Sequence, residues 1–132
     1  MSNKLNKHKS SFRFEELDVW QKSVDFADKV IEVVEKLDTS RKHYRIIEQL
    51  ESSSTSISMN IAEGKGRYSN KEFIHFLYIA RGSLFETITL LKIFYKRNWI
   101  GNTVLSQIKD SGAEVGRMIN GLIKSLQHRA KN

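Results

Sequence analysis

One stripe of apolar residues constrains the fold of this chain more than any other feature. Between residues 73 and 95, apolar side chains recur every three or four positions without a break, which is the period of one helix face. The stripe consists of Phe73, Phe76, Leu77, Ala80, Leu84, Ile88, Leu91 and Tyr95. Because the sequence contains no proline, no residue in the stripe forces the helix to break. We therefore predict one long helix that begins at a Ser69 cap and closes at Asn98 to Gly101, with Trp99 and Ile100 folded back on the core.

Three other segments carry the same period. The first helix is predicted from an inner stripe of Leu17, Trp20, Val24, Ala27, Val30 or Ile31, Val34 and Leu37. The second helix is predicted from about His43 to Glu63, and the fourth from about Asn102 to Gln127. Four helices with short connections and no credible strand predict an all-α fold, an antiparallel up-down-up-down four-helix bundle.

The length of the chain sets the domain organisation. With 132 residues, the chain suits a single domain with one core. We assign residues 14–127 to the bundle. The polar residues 1–13 are predicted to form a flexible basic arm, and residues 128–132 a basic tail.

Small residues on the inner faces indicate close helix contacts. Ser53 and Ser54 fall on the apolar stripe of the second helix, which predicts a close approach by a neighbouring helix. Gly112 and Gly116 lie one turn apart on the fourth helix. Each glycine costs about 1 kcal/mol relative to alanine inside a helix, so we expect the pair to mark a close crossing with another backbone.

The third helix is apolar around most of its circumference. A second apolar set, outside the main stripe, consists of Ile74, Tyr78, Phe85, Ile93 and Phe94. Such a helix must be covered on more than one side, and one small bundle covers only part of it. The sequence therefore predicts self-association.

The glycine-rich segment Gly64-Lys65-Gly66-Arg67 raises the question of a phosphate-binding loop. Loops of that kind follow a buried strand, whereas this segment follows a helix. We interpret it as a turn in which Gly64 takes the left-handed position after the second helix and Gly66 bends the chain toward Ser69. Ser69 and Glu72 then fit a capping box at the start of the third helix.

The charge distribution indicates where a polyanion would bind. The net charge is +7, and residues 15–38 are acidic whereas the segments on either side are basic. The candidate nucleic-acid-binding residues are Lys65, Arg67, Lys71, Lys92, Lys96 and Arg97. The first three lie at the opposite end of the third helix from the last three, so they form two patches unless an oligomer gathers each into a ring. Ordinary solvated charge explains these residues as well as phosphate binding does.

A set of polar residues is embedded in the apolar helices: Asn60, Glu63, Arg81, Ser83 and Glu86. We interpret the set as a structural network in which Arg81 pairs with Glu63 or Glu86, within the bundle or across subunits, because buried charges need partners. A ligand or nucleic-acid site is the alternative interpretation.

No catalytic or metal chemistry is indicated by the motifs. Glu72 and His75 have the Glu-x-x-His spacing of di-iron bundles, but such a site needs a second pair and two further glutamates, and the sequence has no second pair. We predict no metal, no cofactor and no catalytic site. The absence of cysteine, of an apolar run long enough to span a bilayer and of a signal-peptide core leads us to expect a cytoplasmic protein.

The segment SISMNIAEGKGRYSNKEFIHFLYIARGSLFET, residues 56–87, resembles the signature of the four-helix bundle proteins named after 23S ribosomal RNA intervening sequences. Residues 14–21, FEELDVWQ, resemble the opening of their first helix. The resemblance covers residues 12–100. It implies a bundle that assembles into a homopentameric ring, no catalytic activity, and nucleic acid as a partner. The fold it implies is also similar to that of the accessory protein of diversity-generating retroelements, a basic pentamer that partners a reverse transcriptase.

Two functional hypotheses follow. In the first, the chain is a self-associating scaffold that binds RNA or DNA electrostatically. In the second, it is a purely structural partner of another protein and makes no contact with nucleic acid.

Overall fold

The computed structural model describes residues 12–37, 39 and 43–130. Its architecture is four α-helices: α1 (Asp18–Glu35), α2 (Tyr44–Lys65), α3 (Asn70–Lys96) and α4 (Asn102–Ala130). A 3₁₀ turn, Arg13–Glu16, precedes α1. No strand occurs among the described residues, so the all-α, four-helix prediction is confirmed. No helix in this part of the chain is both long enough and apolar enough to cross a membrane.

The predicted terminal segments lie only partly within the residues that the structure describes. Residues 1–11 of the predicted arm and residues 131–132 of the predicted tail lie outside the described residues. At the C-terminal end, α4 continues through residues 128–130 instead of ending at Gln127. Leu126 is buried there, and the Arg129 Nη2 atom donates to Ser125 Oγ at 3.2 Å, so side-chain contacts accompany the last turn.

Each helix packs against its neighbours in sequence, and α4 packs back against α1. The centre of the bundle is filled by side chains with almost no exposed surface: Phe26, Val30, Leu50, Ile57, Ile61, Leu77, Leu91, Phe94, Val115 and Ile119. Ile100 is also buried, and the Trp99 ring lies 4.9 Å from the Phe94 ring centroid. Trp99 and Ile100 therefore fold back on the core, as predicted.

The inner face of α1 differs from the predicted stripe at one position. Val24 is on the surface, 37% exposed, while Ser23 is fully buried. The Ser23 hydroxyl donates to the Trp20 carbonyl at 2.7 Å, which satisfies its polar group inside the helix's own backbone. Phe26 occupies the centre, and Trp20 is half-buried with its ring 5.2 Å from that of Phe14. The other members of the predicted stripe face inward: Ala27 and Val30 are buried, and Leu17, Trp20, Val34 and Leu37 pack against the core.

The helices α2 and α3 meet through small polar side chains. The Ser53 and Thr87 hydroxyls lie 2.8 Å apart, and the Ser56 and Ser83 hydroxyls 3.0 Å apart. Ser53, Ser54 and Thr87 are all buried. The predicted close approach at Ser53 and Ser54 is thus confirmed.

Gly64 has a different role from the one predicted. It lies inside α2 and is buried, and no glycine among the described residues has a positive φ. A Cβ atom at this position would lie 2.8 Å from both Phe73 Cδ1 and Phe76 Cβ. Glycine is therefore required by the contact with α3 and not by a left-handed backbone. Gly66, the residue after α2, also has an ordinary φ of −79°.

The glycines of α4 also accommodate a close contact, but the neighbours are side chains and not the predicted backbone. A Cβ atom at Gly112 would lie 3.0 Å from Ile88 Cδ1 and 3.2 Å from Phe26 Cε1. At Gly116 it would lie 3.3 Å from Leu84 Cδ2. The missing methyl groups let large side chains of α1 and α3 reach the surface of α4.

Both ends of α3 have well-defined caps. Ser69 Oγ accepts from the Glu72 backbone N–H at 3.1 Å, which confirms the N-cap. The Glu72 carboxylate accepts from the Ser69 hydroxyl at 3.2 Å. At the other end, Asn98 has a left-handed φ of 63°. The Trp99 N–H bonds to the Phe94 carbonyl at 2.9 Å and the Asn98 N–H to the Tyr95 carbonyl at 3.0 Å, which is the Schellman pattern of a helix C-terminus.

Candidate nucleic-acid interface

The turn between α2 and α3 holds the first group of predicted basic residues. Lys65 ends α2, Arg67 lies in the turn, and Lys71 is in the first turn of α3. Arg129, from the last turn of α4, lines the same cleft of about 300 Å³ as Lys65 and Arg67. The fold therefore adds a cation from the far end of the chain to this group.

Arg67 is held in place by two contacts. Its Nη2 atom lies 3.4 Å from Glu63 Oε2, and its guanidinium carbon lies 4.7 Å from the Phe76 ring centroid. The ion pair is exposed, so it contributes at most about 1 kcal/mol to stability. It also offsets part of the charge that a phosphate would meet at Arg67.

The second group lies at the other end of α3. Lys92 and Lys96 are exposed in its last turns and Arg97 follows as the C-cap residue. The Lys92 Nζ atom lies 5.3 Å from the Tyr95 ring centroid. Because α3 has 27 residues, it is about 40 Å long at 1.5 Å per residue, and Lys71 and Lys92, the nearest members of the two groups, lie about 32 Å apart along its axis. One protomer does not bring them into a single surface.

The predicted polar network is only partly assembled. Asn60 Nδ2 donates to the Ser56 carbonyl at 2.8 Å and to Ser56 Oγ at 2.9 Å. Because the Ser56 hydroxyl also meets that of Ser83 at 3.0 Å, Asn60 and Ser83 belong to one hydrogen-bonded cluster. Glu63 and Glu86 do not join it. Glu63 pairs with Arg67, and Glu86 Oε2 accepts from Gln49 Nε2 at 3.3 Å.

The predicted partners of Arg81 are wrong within the protomer. No salt bridge among the described residues joins Arg81 to Glu63 or Glu86. Its Nη1 atom instead donates to Asn120 Oδ1 of α4 at 2.9 Å. Its guanidinium carbon lies 4.8 Å from the Tyr78 ring centroid and 5.9 Å from that of Phe85. Arg81 thus belongs to the surface between α3 and α4.

The outward side of α3 carries two parallel strips with a seven-residue spacing. Residues seven apart lie close to one face of a helix. The aromatic strip is Tyr78, Phe85 and Lys92, and the Arg81–Asn120 bond places it on the side of α4. The aliphatic strip is Ile79, Glu86 and Ile93, and the Gln49–Glu86 bond places it on the side of α2.

Four apolar residues of these strips are exposed. Tyr78 is 43%, Ile79 39%, Phe85 59% and Ile93 39% accessible. The prediction that α3 keeps apolar surface outside the bundle is therefore correct for Tyr78, Phe85 and Ile93. It is wrong for Phe94, which is fully buried, and Ile74 packs against the core.

The side of α4 next to the aromatic strip is cationic. Three exposed cations flank Asn120 on α4. Lys109 lies eleven residues before it, Arg117 three before and Lys124 four after. These spacings place them on the Asn120 side of α4. With Arg81 and Lys92 of α3 they form what we call the cationic face.

Sequence reasoning missed the cationic face. Its basic residues are spread over 44 positions from Arg81 to Lys124, so no local cluster marks them. The seven-residue spacing of Tyr78, Phe85 and Lys92 was a detectable signal. The pairing of Arg81 with Asn120 was not, because it depends on how α4 is rotated against α3.

The Glu-x-x-His pair lies apart from any cluster of ligands. Glu72 is engaged by the Ser69 cap, and His75 is exposed with its ring 5.7 Å from that of Phe76. Within the described part of the chain, no group of three or more His, Asp or Glu side chains could hold a metal ion.

A groove of about 720 Å³ lies beside the start of α4. Val33, Leu37, Val104 and Ile108 give it apolar walls. Three of its four charged residues have close partners: Lys29 Nζ donates to Ser111 Oγ at 3.1 Å, and Lys36 Nζ lies 3.8 Å from Glu32 Oε1.

Comparison with solved structures supports the fold. The chain is similar to the crystal structure, at 1.70 Å resolution, of a protein with unknown function from the S23 ribosomal protein family of Bacteroides thetaiotaomicron. The two are 27% identical with a TM-score of 0.74, and the match covers 80% of this chain and 98% of the other. No curated protein sequence matches the chain.

Comparison with family models matches residues 15–121 to the 23S rRNA-intervening sequence protein. The matched segment takes in α1, α2, α3 and most of α4. It includes the N-capped third helix and the serine contacts between α2 and α3, on which the fold depends. Together with the structural match, this shows that the chain belongs to the family of 23S rRNA-intervening sequence proteins.

Proposed function

We propose that the protein is a non-catalytic, self-associating helical scaffold that binds RNA or DNA through its basic surface. One observation carries the proposal: the outward side of α3 leaves both apolar and cationic side chains exposed. Exposed apolar residues in a cluster favour association with another surface, and the cations favour a polyanion.

The proposed protomer is an up-down-up-down bundle. Support comes from contacts in which the residue numbers rise on one helix as they fall on the next. Between α3 and α4, Arg81 bonds to Asn120 while Ile88 lies beside Gly112. Between α1 and α4, Lys22 pairs with Glu114 at 3.3 Å and Lys29 with Ser111. Antiparallel neighbours joined by short turns are the usual arrangement in such bundles.

The proposed assembly is a homopentameric ring, as the family resemblance implies. We assign the subunit contact to the aliphatic strip, because Ile79 and Ile93 are exposed and the carboxylate between them, Glu86, is bonded to Gln49. A ring would repeat every basic group around its axis. The cluster at Lys65, Arg67 and Lys71 and the cluster at Lys92, Lys96 and Arg97 would then each form a continuous basic zone.

The test is the mass in solution measured by light scattering, with and without nuclease, while absorbance at 260 nm is followed. We expect a mass several times the 15.3 kDa of one chain and bound nucleic acid that salt removes steeply, because each phosphate contact releases counterions. A mass of one chain would contradict the assembly. The nucleic-acid role would be contradicted if the absorbance at 260 nm were that of the protein alone and no added RNA or DNA bound at low salt.

A second candidate is a structural accessory protein that binds another polypeptide and no nucleic acid. The apolar walls of the groove beside α4 favour it, since grooves of this kind accept helices or extended segments of a partner. This candidate predicts a stoichiometric polypeptide that stays bound after nuclease and high salt. Replacement of Val104 by glutamate in the groove would release it.

A further inference from the structure

We propose that the cationic face binds single-stranded nucleic acid, with Tyr78 and Phe85 stacking on unpaired bases and the surrounding cations holding phosphates. The inference rests on the proposed function, because it requires that the chain binds nucleic acid. It goes further by naming a site that shares only Lys92 with the two terminal basic clusters and by specifying the strandedness of the ligand.

The two rings are exposed and held in position. Tyr78 is 43% and Phe85 59% accessible, and Arg81 lies against both, 4.8 Å and 5.9 Å from their centroids. Arg81 is fixed in turn by its 2.9 Å bond to Asn120. Rings that are ordered before binding lose less conformational entropy when a base stacks on them. The planar guanidinium is itself a stacking surface for a base.

The charge around the rings is mostly positive. Helices α3 and α4 together contain four acidic residues, and three of them are engaged away from this face. Glu72 caps the N-terminus of α3, Glu86 bonds to Gln49 of α2, and Glu114 pairs with Lys22 of α1. The fourth, Asp110, lies seven residues before Arg117 at the edge of the face and also lines the groove beside α1.

The register of α3 against α4 groups the cations around the rings. Leu84 lies beside Gly116 and Ile88 beside Gly112. Continuing this register places Lys109 level with residue 91, beside Lys92, and Arg117 level with residue 83, close to Phe85. From Tyr78 to Lys92 the face is about 21 Å long at 1.5 Å per residue, which is enough for a short run of nucleotides.

The chemistry selects an unpaired strand. Every base has a π face, but in a duplex that face is covered by the neighbouring base pairs, so exposed rings gain contact only with single strands. A second copy of the chain is assigned to the aliphatic strip on the other side of α3, so the proposed ring leaves this face open. A polyanion with exposed aromatic surfaces fits both features of the face.

The test measures binding of the full chain, by fluorescence polarisation, to a 30-nucleotide single strand of mixed sequence and to the duplex of the same sequence. The double variant Tyr78→Ala/Phe85→Ala is expected to bind the single strand at least about tenfold more weakly, with duplex affinity changed by less than about twofold. The matched control compares two single variants, Tyr44→Ala and Phe85→Ala. Both rings are 59% exposed, but only Phe85 lies on the cationic face. Tyr44→Ala is expected to have no effect.

Two further variants separate stacking from charge. Phe85→Trp keeps a stacking ring, so it is expected to retain affinity and to show quenched tryptophan fluorescence on binding the single strand. Lys109→Ala/Lys124→Ala is expected to weaken binding to both ligands and to reduce the salt dependence for the single strand by about 1.4 in log–log slope. The mass of every variant is measured alongside.

The outcomes discriminate between the two proposals. The stacking proposal is overturned, while the nucleic-acid scaffold stands, if the aromatic double variant weakens single-strand and duplex binding equally or weakens neither of them. A fall in the solution mass of that variant would also overturn it, because the rings would then belong to a subunit contact. If the unmodified chain binds neither ligand at low salt, both proposals fail.

Discussion

The two sides of α3 place different demands on the sequence. Toward α2, the contact is close enough to require particular atoms: Gly64 leaves no room for a methyl group beside Phe73 and Phe76, and Ser53 and Thr87 share a buried hydrogen bond. On the outward side, a Cβ atom at Gly82 would have no neighbour within 4 Å. The inner side therefore determines the fold, whereas the outward side is free to serve binding.

The largest effect is expected from placing charge on the aliphatic strip. We expect Ile79→Glu/Ile93→Glu to reduce the solution mass to that of one chain, 15.3 kDa, because each subunit contact would bury two new carboxylates without partners. Light scattering measures the mass, and circular dichroism checks that the helices remain. The control is Val24→Glu, at a similarly exposed residue of α1, which should leave the mass unchanged. An unaltered mass in the double variant would remove the aliphatic strip from the assembly.

A smaller but still large effect is expected at the inner side. Gly64→Ala introduces a methyl group 2.8 Å from Phe73 Cδ1 and Phe76 Cβ, which outweighs the better helix propensity of alanine. We expect a loss of about 2 kcal/mol in the free energy of unfolding, measured by urea denaturation. An unchanged free energy of unfolding would mean that the contact between α2 and α3 can widen at Gly64 without a free-energy cost.

Removing the buried hydrogen bond should cost less. Thr87→Val keeps the shape of the side chain but deprives Ser53 Oγ of its 2.8 Å partner and the Ser83 carbonyl of its 2.8 Å donor. We expect a loss of about 1–2 kcal/mol, because one buried polar group is left with fewer partners. The double variant Ser53→Ala/Thr87→Val is the control, and it should recover part of the loss. If the single variant is as stable as the original chain, packing alone holds this contact.

The smallest effect has the opposite sign. Gly82→Ala fills open space on the outward side of α3, so the variant should gain up to about 1 kcal/mol from helix propensity. The same chemical change thus destabilises at Gly64 and stabilises at Gly82. The comparison is made by the same urea measurement. A destabilised Gly82→Ala variant in the assembled protein would indicate that another subunit packs closely at that position.

The sequence was sufficient for the elements that depend on local chemistry. Ser69 could be recognised as an N-cap because its hydroxyl precedes a glutamate by three residues, and apolar spacing located all four helices. Ser53 and Ser54 could be assigned to a close contact because small residues interrupted an apolar stripe. These features require knowledge of one helix at a time.

The errors came from contacts between helices. Gly64 was assigned to a left-handed turn because nothing local shows that Phe73 and Phe76 lie against it. Within the protomer, the charge of Arg81 suggests a carboxylate partner, whereas the rotation of α4 brings Asn120 within reach. The spacing of apolar residues shows which face of a helix is buried, but not which residues of the neighbouring helix that face contacts.

The serines of α2 have a consequence for how the chain is made. Residues 52–56 are Ser-Ser-Ser-Thr-Ser, a run with poor intrinsic helicity, and helices of this kind are stabilised mainly by a packed neighbour. The ribosome delivers α2 before the 31 residues that complete α3, and at 5–20 residues per second this takes about 2–6 s. During that interval the nascent α2 has α1 to pack against but not α3. The serine run is then expected to become stably helical only once α3 has been made.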